Sequence, residues 1–200
     1  STERSVARFS KGIGGAAGKV AKGVGLMGAA FVGLGLAASK ALLSTAEELA
    51  SLDQKIGTVF DGQSGQIVSS WADDVAHRLG MTRTAAQGLA ASTGDLLKPM
   101  GFTSSQAAVM SSELVGISGA LSEWSAGQKS TTEVADILNK AILGETDGLK
   151  QLGISLSAAE VQAEALRVAK AAGRDEITAM DKAVAAQTLI FAKSTDAQAA

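Results

Sequence analysis

The chain has 200 residues, of which 46% are hydrophobic but only 4% aromatic, and it contains no cysteine. This length suits one domain, or one domain with an extension, and excludes two large hydrophobic cores. The lack of cysteine excludes a disulfide framework and a thiolate metal site, which fits a reducing compartment. Because alanine supplies much of the apolar content and there is 1 proline, the composition favours helices over strands.

Charge is distributed unevenly along the chain. The formal net charge is −2, but residues 1–40 carry 6 basic and 1 acidic side chains (+5), whereas residues 41–200 carry 12 basic and 19 acidic ones (−7). A basic, glycine-rich head is therefore followed by an acidic body. The chain starts at Ser1 and ends on "STDAQAA", and we expect it to be a piece of a longer polypeptide.

The head, residues 1–57, is predicted to be an apolar helical segment rich in glycine and alanine. Its stretch Gly23–Ser39 carries no charge. Small residues recur there every four positions, forming a stripe at Ala21, Gly25, Ala29, Gly33 and Ala37. Such a stripe allows another helix backbone to pack closely, in an oligomer or against a protein wall. The competing interpretation is membrane insertion, for which about 17 uncharged residues are at the short limit.

The body, residues 66–200, is predicted to be a helical domain. "FDGQSG" is predicted to break the chain before a helix from about Gln66 to Leu79. One face of that helix carries Val68, Trp71, Val75 and Leu79. Thr82 is the expected N-cap of the next helix, and Pro99 and Gly101 are expected to stop it.

Three capping boxes predict the starts of later helices: Thr103 with Gln106, Ser130 with Glu133, and Ser157 with Glu160. A fourth helix is expected to start at Thr178. Apolar residues at helical spacing predict the inward faces. In chain order these faces are Met110, Leu114, Ile117, Leu121 and Trp124; Val134, Ile137, Leu138, Ala141 and Ile142; Val161, Ala165, Val168 and Ala172; and Met180, Ala183, Val184 and Ile190.

The stretch "KAILGETDGLKQLGISLSAAEVQ" is predicted to be a structural corner, defined by Gly144, Gly148 and Gly153. Gly144 is expected to end one helix, "ETDGLKQL" to form about two helical turns, and Gly153 to end those turns. "ISL" would follow as a short extended link that buries Ile154 and Leu156. The corner would fold two longer helices back on each other. Further glycine stops are expected at Gly80, Gly101, Gly127 and Gly173.

No sequence motif points to catalysis or to a cofactor. "GVGLMG" (residues 23–28) matches the dinucleotide-binding spacing, but no strand precedes it and no alternation of strands and helices follows. His77 lies one helical turn after Asp73, and no third metal ligand is evident, so a solvated polar face is the preferred interpretation. The basic head lacks interleaved aromatic residues, so only nonspecific contact with DNA phosphates is expected.

From Trp71 to the end, the sequence resembles the tail tape measure proteins of long-tailed bacteriophages. The resemblance rests on "WADDVAHRLGMTRTAAQGLAASTGDLLKPMGFTSSQAAVMSSELVGISGALSEWS" and on "ILNKAILGETDGLKQLGISLSAAEVQAEAL", in which Leu143–Ser157 is the most specific run. It implies an all-α structural protein of the virion that lies in the tail tube, sets tube length during assembly and assists genome ejection. It brings no catalytic residue, metal or cofactor to these 200 residues.

The resemblance also implies partners and a location. The partners would be further copies of the same chain, the major tail tube protein, tail tip proteins, tail assembly chaperones and the host membrane. The locations would be the tube lumen or tail tip of the virion, the host cytoplasm during assembly, and the host membrane at infection.

A second hypothesis is a membrane-inserting pore or toxin-like domain with Gly23–Ser39 as the insertion helix; an enzyme is a distant third. Glycine stops divide residues 66–200 into short helices. We therefore predict that these residues fold as a compact helical bundle that acts as an anchoring or assembly domain, and not as an extended helix whose length sets the length of the tail.

Overall fold

The computed structural model describes residues 50–76 and 78–195. Within those ranges the regular elements are all helical, which confirms the predicted all-α class. The stripe Ala21, Gly25, Ala29, Gly33 and Ala37 lies outside the described residues, as does the rest of residues 1–49. The described part of the predicted head is helical at 50–59. The boundaries proposed for the head and the body remain predictions.

Six α-helices and two 3-10 helices follow this segment in the described ranges. The α-helices are α1 (Gly62–Val75), α2 (Arg83–Leu97), α3 (Ser104–Trp124), α4 (Thr131–Ile142), α5 (Ala158–Ala171) and α6 (Ala179–Lys193). The 3-10 helices are Lys98–Met100, directly after α2, and Thr146–Leu152, between α4 and α5.

Side-chain caps start the helices at the predicted residues, with one exception. Thr82 caps α2, and complete capping boxes start α3, α4 and α5 as predicted. Thr178 starts α6, where Asp181 completes a fourth box that the sequence analysis did not identify. The predicted start of α1 near Gln66 was wrong: Asp61 accepts a hydrogen bond from the Ser64 N–H at 2.8 Å, so α1 begins at Gly62. The glycines after Asp61 are therefore part of the helix, because a capped start tolerates them.

The glycines expected to stop helices have left-handed backbones. Positive φ angles occur in the described residues at Gly80, Gly101, Gly127, Gly144, Gly153 and Gly173. A left-handed residue after the last turn redirects the chain and lets its N–H groups bond the final carbonyls. The predicted division of the body into short helices is therefore confirmed.

α3 lies at the centre of the helical packing, in contact with α1, α2 and α4, while α6 packs against α5 and α4. The largest fully buried side chains come from all parts of the described chain: Phe60, Leu97, Leu114, Leu138, Leu149 and Ile190. Burial of each such side chain contributes about 1.5–3 kcal/mol to the free energy of unfolding. Ile56, in the helical segment 50–59, also belongs to this core, so the end of the predicted head is part of it.

Two residues predicted to face inward do not. Trp124, the last residue of α3, is 56% exposed. Ala172 is the C-cap of α5 and is also exposed. Both end an apolar periodicity, at the point where the backbone leaves helical geometry and the next turn no longer covers them. The rest of the α3 face, from Met110 to Leu121, is buried as predicted.

Candidate assembly corner

The corner begins where α4 ends. Gly144 has φ +104°, and its N–H donates to the Ala141 carbonyl at 3.0 Å. The Glu145 N–H reaches back to the Lys140 carbonyl at 2.9 Å. These two bonds satisfy carbonyls that the end of a helix would otherwise leave free. Gly144 therefore ends α4 as predicted.

The middle of the corner is the 3-10 helix Thr146–Leu152, which forms the two helical turns expected from the sequence. It presents Leu149 to the core, where that side chain is fully buried. Gly148 has no left-handed backbone; a Cβ atom there would lie 3.3 Å from Ile137 Cγ2 on α4. Gly148 therefore lies close to α4 but does not need a left-handed backbone, whereas Gly144 serves the turn.

The 3-10 helix ends at Gly153, which has φ +72°. Its N–H donates to the Lys150 carbonyl at 3.1 Å, and the Ile154 N–H donates to Leu149 at 3.0 Å. The extended link that follows buries Ile154 (3% exposed) and Leu156 (6% exposed). The predicted burial of both side chains is confirmed, and they fasten the link to the core.

The corner closes at a charged cluster formed by Ser157, Glu160 and Lys193. Ser157 donates to Glu160 from its backbone N–H and its hydroxyl, both at 2.8 Å. Lys193, at the end of α6, donates from Nζ to Glu160 Oε1 at 2.6 Å and also to the Ser155 carbonyl. The hydrogen bonds from Lys193 and then Ser157 lower the pKa of Glu160 from 4.5 to about 2. The cluster ties the start of α5 to the end of α6.

A second charged contact joins the other ends of α5 and α6. Arg174 donates to Asp181 through both terminal nitrogens, at 2.6 and 2.7 Å. Thr178 donates to the same carboxylate from its backbone N–H and its hydroxyl. The Arg174 guanidinium holds the pKa of Asp181 well below its ordinary value. This pair was not predicted from the sequence; an acidic residue three positions after Thr178 was the available signal.

Residues of the corner line two depressions on the surface. One, of about 430 Å³, is mostly polar and contains Gly144 and Gly148 together with Lys140 and Asp147. The other, of about 290 Å³, is mostly apolar and lies between Leu143, Val161 and Lys182. Leu143 is 50% exposed. Gly144 contributes to both depressions, whereas Gly153 contributes to neither.

The remaining candidates from the sequence do not form a site in the described residues. Asp73 forms an ion pair with Arg83 at 3.0 Å, whereas His77 and residues 23–28 lie outside those residues. Among the side chains described, no group of three or more His, Cys, Asp or Glu residues is placed to hold a metal ion. None of the helices described combines the length and apolar character needed to cross a bilayer.

The contacts of the corner therefore fix the relative orientation of the helices that meet there. Two left-handed glycines, three buried aliphatic side chains and two charged clusters hold α4, α5 and α6 in one orientation. Comparison with protein-family models, with curated proteins and with solved structures found no match to this chain.

Proposed function

We propose that this chain is part of a tape measure protein of a bacteriophage tail, and that residues 66–200 act as its assembly domain. The observation that carries the proposal is the sequence resemblance from Trp71 onward, most specific in Leu143–Ser157. The geometry of that run supports an assembly role, because its side chains are used for packing and for helix ends.

The distinction between an assembly domain and a ruler has a direct structural basis. A ruler that is a continuous helix contributes about 1.5 Å per residue to a tail. The longest helix in the described ranges is α3, with 21 residues, and a left-handed glycine follows each of α2 to α5 within a few residues. An assembly domain instead depends on its core, and it fails when the core is disrupted even if the chain length is unchanged.

The test is electron microscopy of tails made with variants of the full parent protein. Leu149→Asp places a charge at a fully buried position of the corner, whereas Leu143→Asp places the same charge at a half-exposed position nearby. We expect few or aberrant tails with Leu149→Asp and normal tails with Leu143→Asp. Normal tails with both variants would contradict the assembly role.

A deletion gives a second readout. Removal of Ala158–Lys193 takes away α5 and α6, which cover part of the core. An assembly domain predicts failed or aberrant tails. If tails form efficiently and are shorter by about 1.5 Å for each deleted residue, the segment is part of the ruler.

The alternative function, membrane insertion, rests on the uncharged stretch Gly23–Ser39, which lies outside the described residues. Its test is release of a trapped dye from lipid vesicles by the full chain. Leakage that Gly33→Lys abolishes would favour this alternative, because a charge in the apolar stretch opposes insertion.

A further inference from the structure

The outer face of α3 carries two mostly apolar surface depressions in the described part of the molecule. One depression, of about 510 Å³, lies between α1 and α3, and a second, of about 410 Å³, continues along α3 toward Arg174. Val109 and Glu113 line both. We call the combined surface the α3 groove; its main lining residues are Ile67, Trp71, Val109, Gly116, Ala120 and Phe191. Val109 is 45% and Ile67 39% exposed.

Gly116 lies in the floor of this groove, and packing among the described residues does not require a glycine there. Gly116 lies inside α3, where glycine destabilises a helix relative to alanine. A Cβ atom at Gly116 would meet nothing within 4 Å. Gly119, three residues later, differs because a Cβ atom there would overlap the Leu79 side chain. The fold therefore explains Gly119, while a surface that approaches α3 closely would explain Gly116.

A buried hydroxyl group in the floor of the groove also indicates a binding surface. Ser112 lines the groove, is only 6% exposed, and its Oγ has no hydrogen-bond partner in the described residues. An unpaired buried hydroxyl is unfavourable. Ser112, Gly116 and Ala120 are spaced by four, so they form a channel of small residues along one face of α3. The Ser112 Oγ is shielded from solvent in its present orientation, so a helix backbone lying in that channel could pair with it after the side chain rotates.

The dimensions and charge of the groove define its occupant. The face from Ser105 to Ala120 is about 22 Å long, which is about four turns of helix. Glu113 is the one charged side chain that lines the first depression, and it lines the second together with Arg174 and Asp181. Glu113 is exposed between the two depressions, and among the described residues its carboxylate accepts a hydrogen bond from the neutral Gln187 alone, at 2.7 Å. Arg174, at the far end, is already paired with Asp181. A second α3 helix would bring acidic residues together, so the complementary occupant is basic.

We propose that the α3 groove binds a helix of another polypeptide that carries Gly, Ala or Ser at every fourth position and a Lys or Arg opposite Glu113. Small residues on both helices permit close backbone approach, and the basic residue pairs with Glu113. The inference deepens the proposed assembly role by naming the kind of partner. It is tested with purified components, so its failure is distinct from a failure of the tail experiments.

The probe is a dye-labelled helical peptide of about six turns with alanine at every fourth position, flanking leucines and two lysines. A second peptide replaces both lysines with glutamate. Fluorescence anisotropy measures binding of each to the full 200-residue chain. We expect saturable binding of the lysine peptide and at least tenfold weaker binding of the glutamate peptide. No saturable binding of the lysine peptide up to about 1 mM would overturn the proposal.

Three variants locate the binding. Gly116→Leu fills the channel and should weaken binding at least tenfold while the chain stays folded, which circular dichroism checks. Ala163→Leu, at an exposed position of α5 outside the groove, is the control and should bind normally. Glu113→Lys should reverse the preference between the two peptides. Unchanged binding by Gly116→Leu would overturn the site. Self-association of the free chain that Gly116→Leu abolishes would show a second copy in the groove and overturn the choice of occupant.

Discussion

Arg174 and Asp181 form a two-pronged ion pair in which the carboxylate is 1% exposed and both of its oxygens accept from the guanidinium. The pair spans the turn between α5 and α6, and Asp181 also caps α6 through Thr178. One carboxylate thus determines both where α6 begins and how the preceding turn is held.

The first prediction concerns this carboxylate. Asp181→Asn removes the charge that Arg174 pairs with, and we expect the free energy of unfolding to fall by about 2 kcal/mol, because hydrogen bonds to charged groups contribute that much. Asp147→Asn is the control, since Asp147 pairs with Lys150 on an exposed surface. It should change stability by less than about 0.5 kcal/mol. Urea denaturation measures both. Equal effects would contradict the structural role of the Arg174 pair.

Acid should destabilise the fold in a defined range of pH. The pKa of Glu160 is about 2 in the folded protein and 4.5 without its partners, and that of Asp181 is also lowered. Between these values the unfolded chain binds more protons than the folded chain, so the free energy of unfolding falls as the pH drops from about 5 to about 2. Urea midpoints at several pH values measure this slope. Glu160→Gln should flatten it; an unchanged slope would remove Glu160 from the explanation.

The corner glycines should differ in their response to alanine. Gly153 has a left-handed backbone, so Gly153→Ala should lower the free energy of unfolding by about 1–2 kcal/mol. Gly144→Ala should behave in the same way. Gly148→Ala should change stability by less than about 0.5 kcal/mol, since only Ile137 must adjust. Thermal denaturation compares the three. A loss at Gly148 as large as at Gly153 would contradict this assignment of roles.

Alanine substitution at two glycines of α2 should change the free energy of unfolding in opposite directions. A Cβ atom at Gly94 would overlap the buried Phe60 ring and approach Val59, so Gly94→Ala should destabilise by about 1–3 kcal/mol. At Gly88 the nearest atom would be Leu52 Cδ1, at 3.9 Å, so Gly88→Ala should stabilise by up to about 1 kcal/mol. Urea denaturation of both variants gives the signs. Stabilisation by Gly94→Ala would contradict the packing of the 50–60 segment on α2.

Local signals account for what the sequence predicted well. Capping boxes and glycine stops act within a few residues, so Ser130 with Glu133, or Gly173, is recognisable without the rest of the fold. The α1 start was missed because Asp61 is followed by two glycines that imitate a loop. Contacts between distant residues were also missed, such as Lys193 with Glu160. Their partners are chosen by helix packing, which no short pattern encodes.

The same limit applies to the candidate sites. The corner glycines were found because a turn depends on the backbone angles of single residues. The α3 groove was not found, because an open groove is a space left between α1, α3 and α6. Gly116 and Gly119 look alike in the sequence, and only the position of Leu79 separates them.

The turn after α3 has a consequence for insertions and deletions. Ala126 and Gly127 are both left-handed, and Gln128 and Lys129 form a bend before α4 starts. One residue inserted in α3 before Gly119 would rotate the following part of the helix by about 100° and move Gly119 away from Leu79. One residue inserted at Gln128 would lengthen an exposed bend and leave the Gly119 contact with Leu79 in place, although the Ser122 hydroxyl would have to adjust its hydrogen bond to the Lys129 carbonyl. Natural variants of this protein should therefore differ in length at that bend and keep α3 constant.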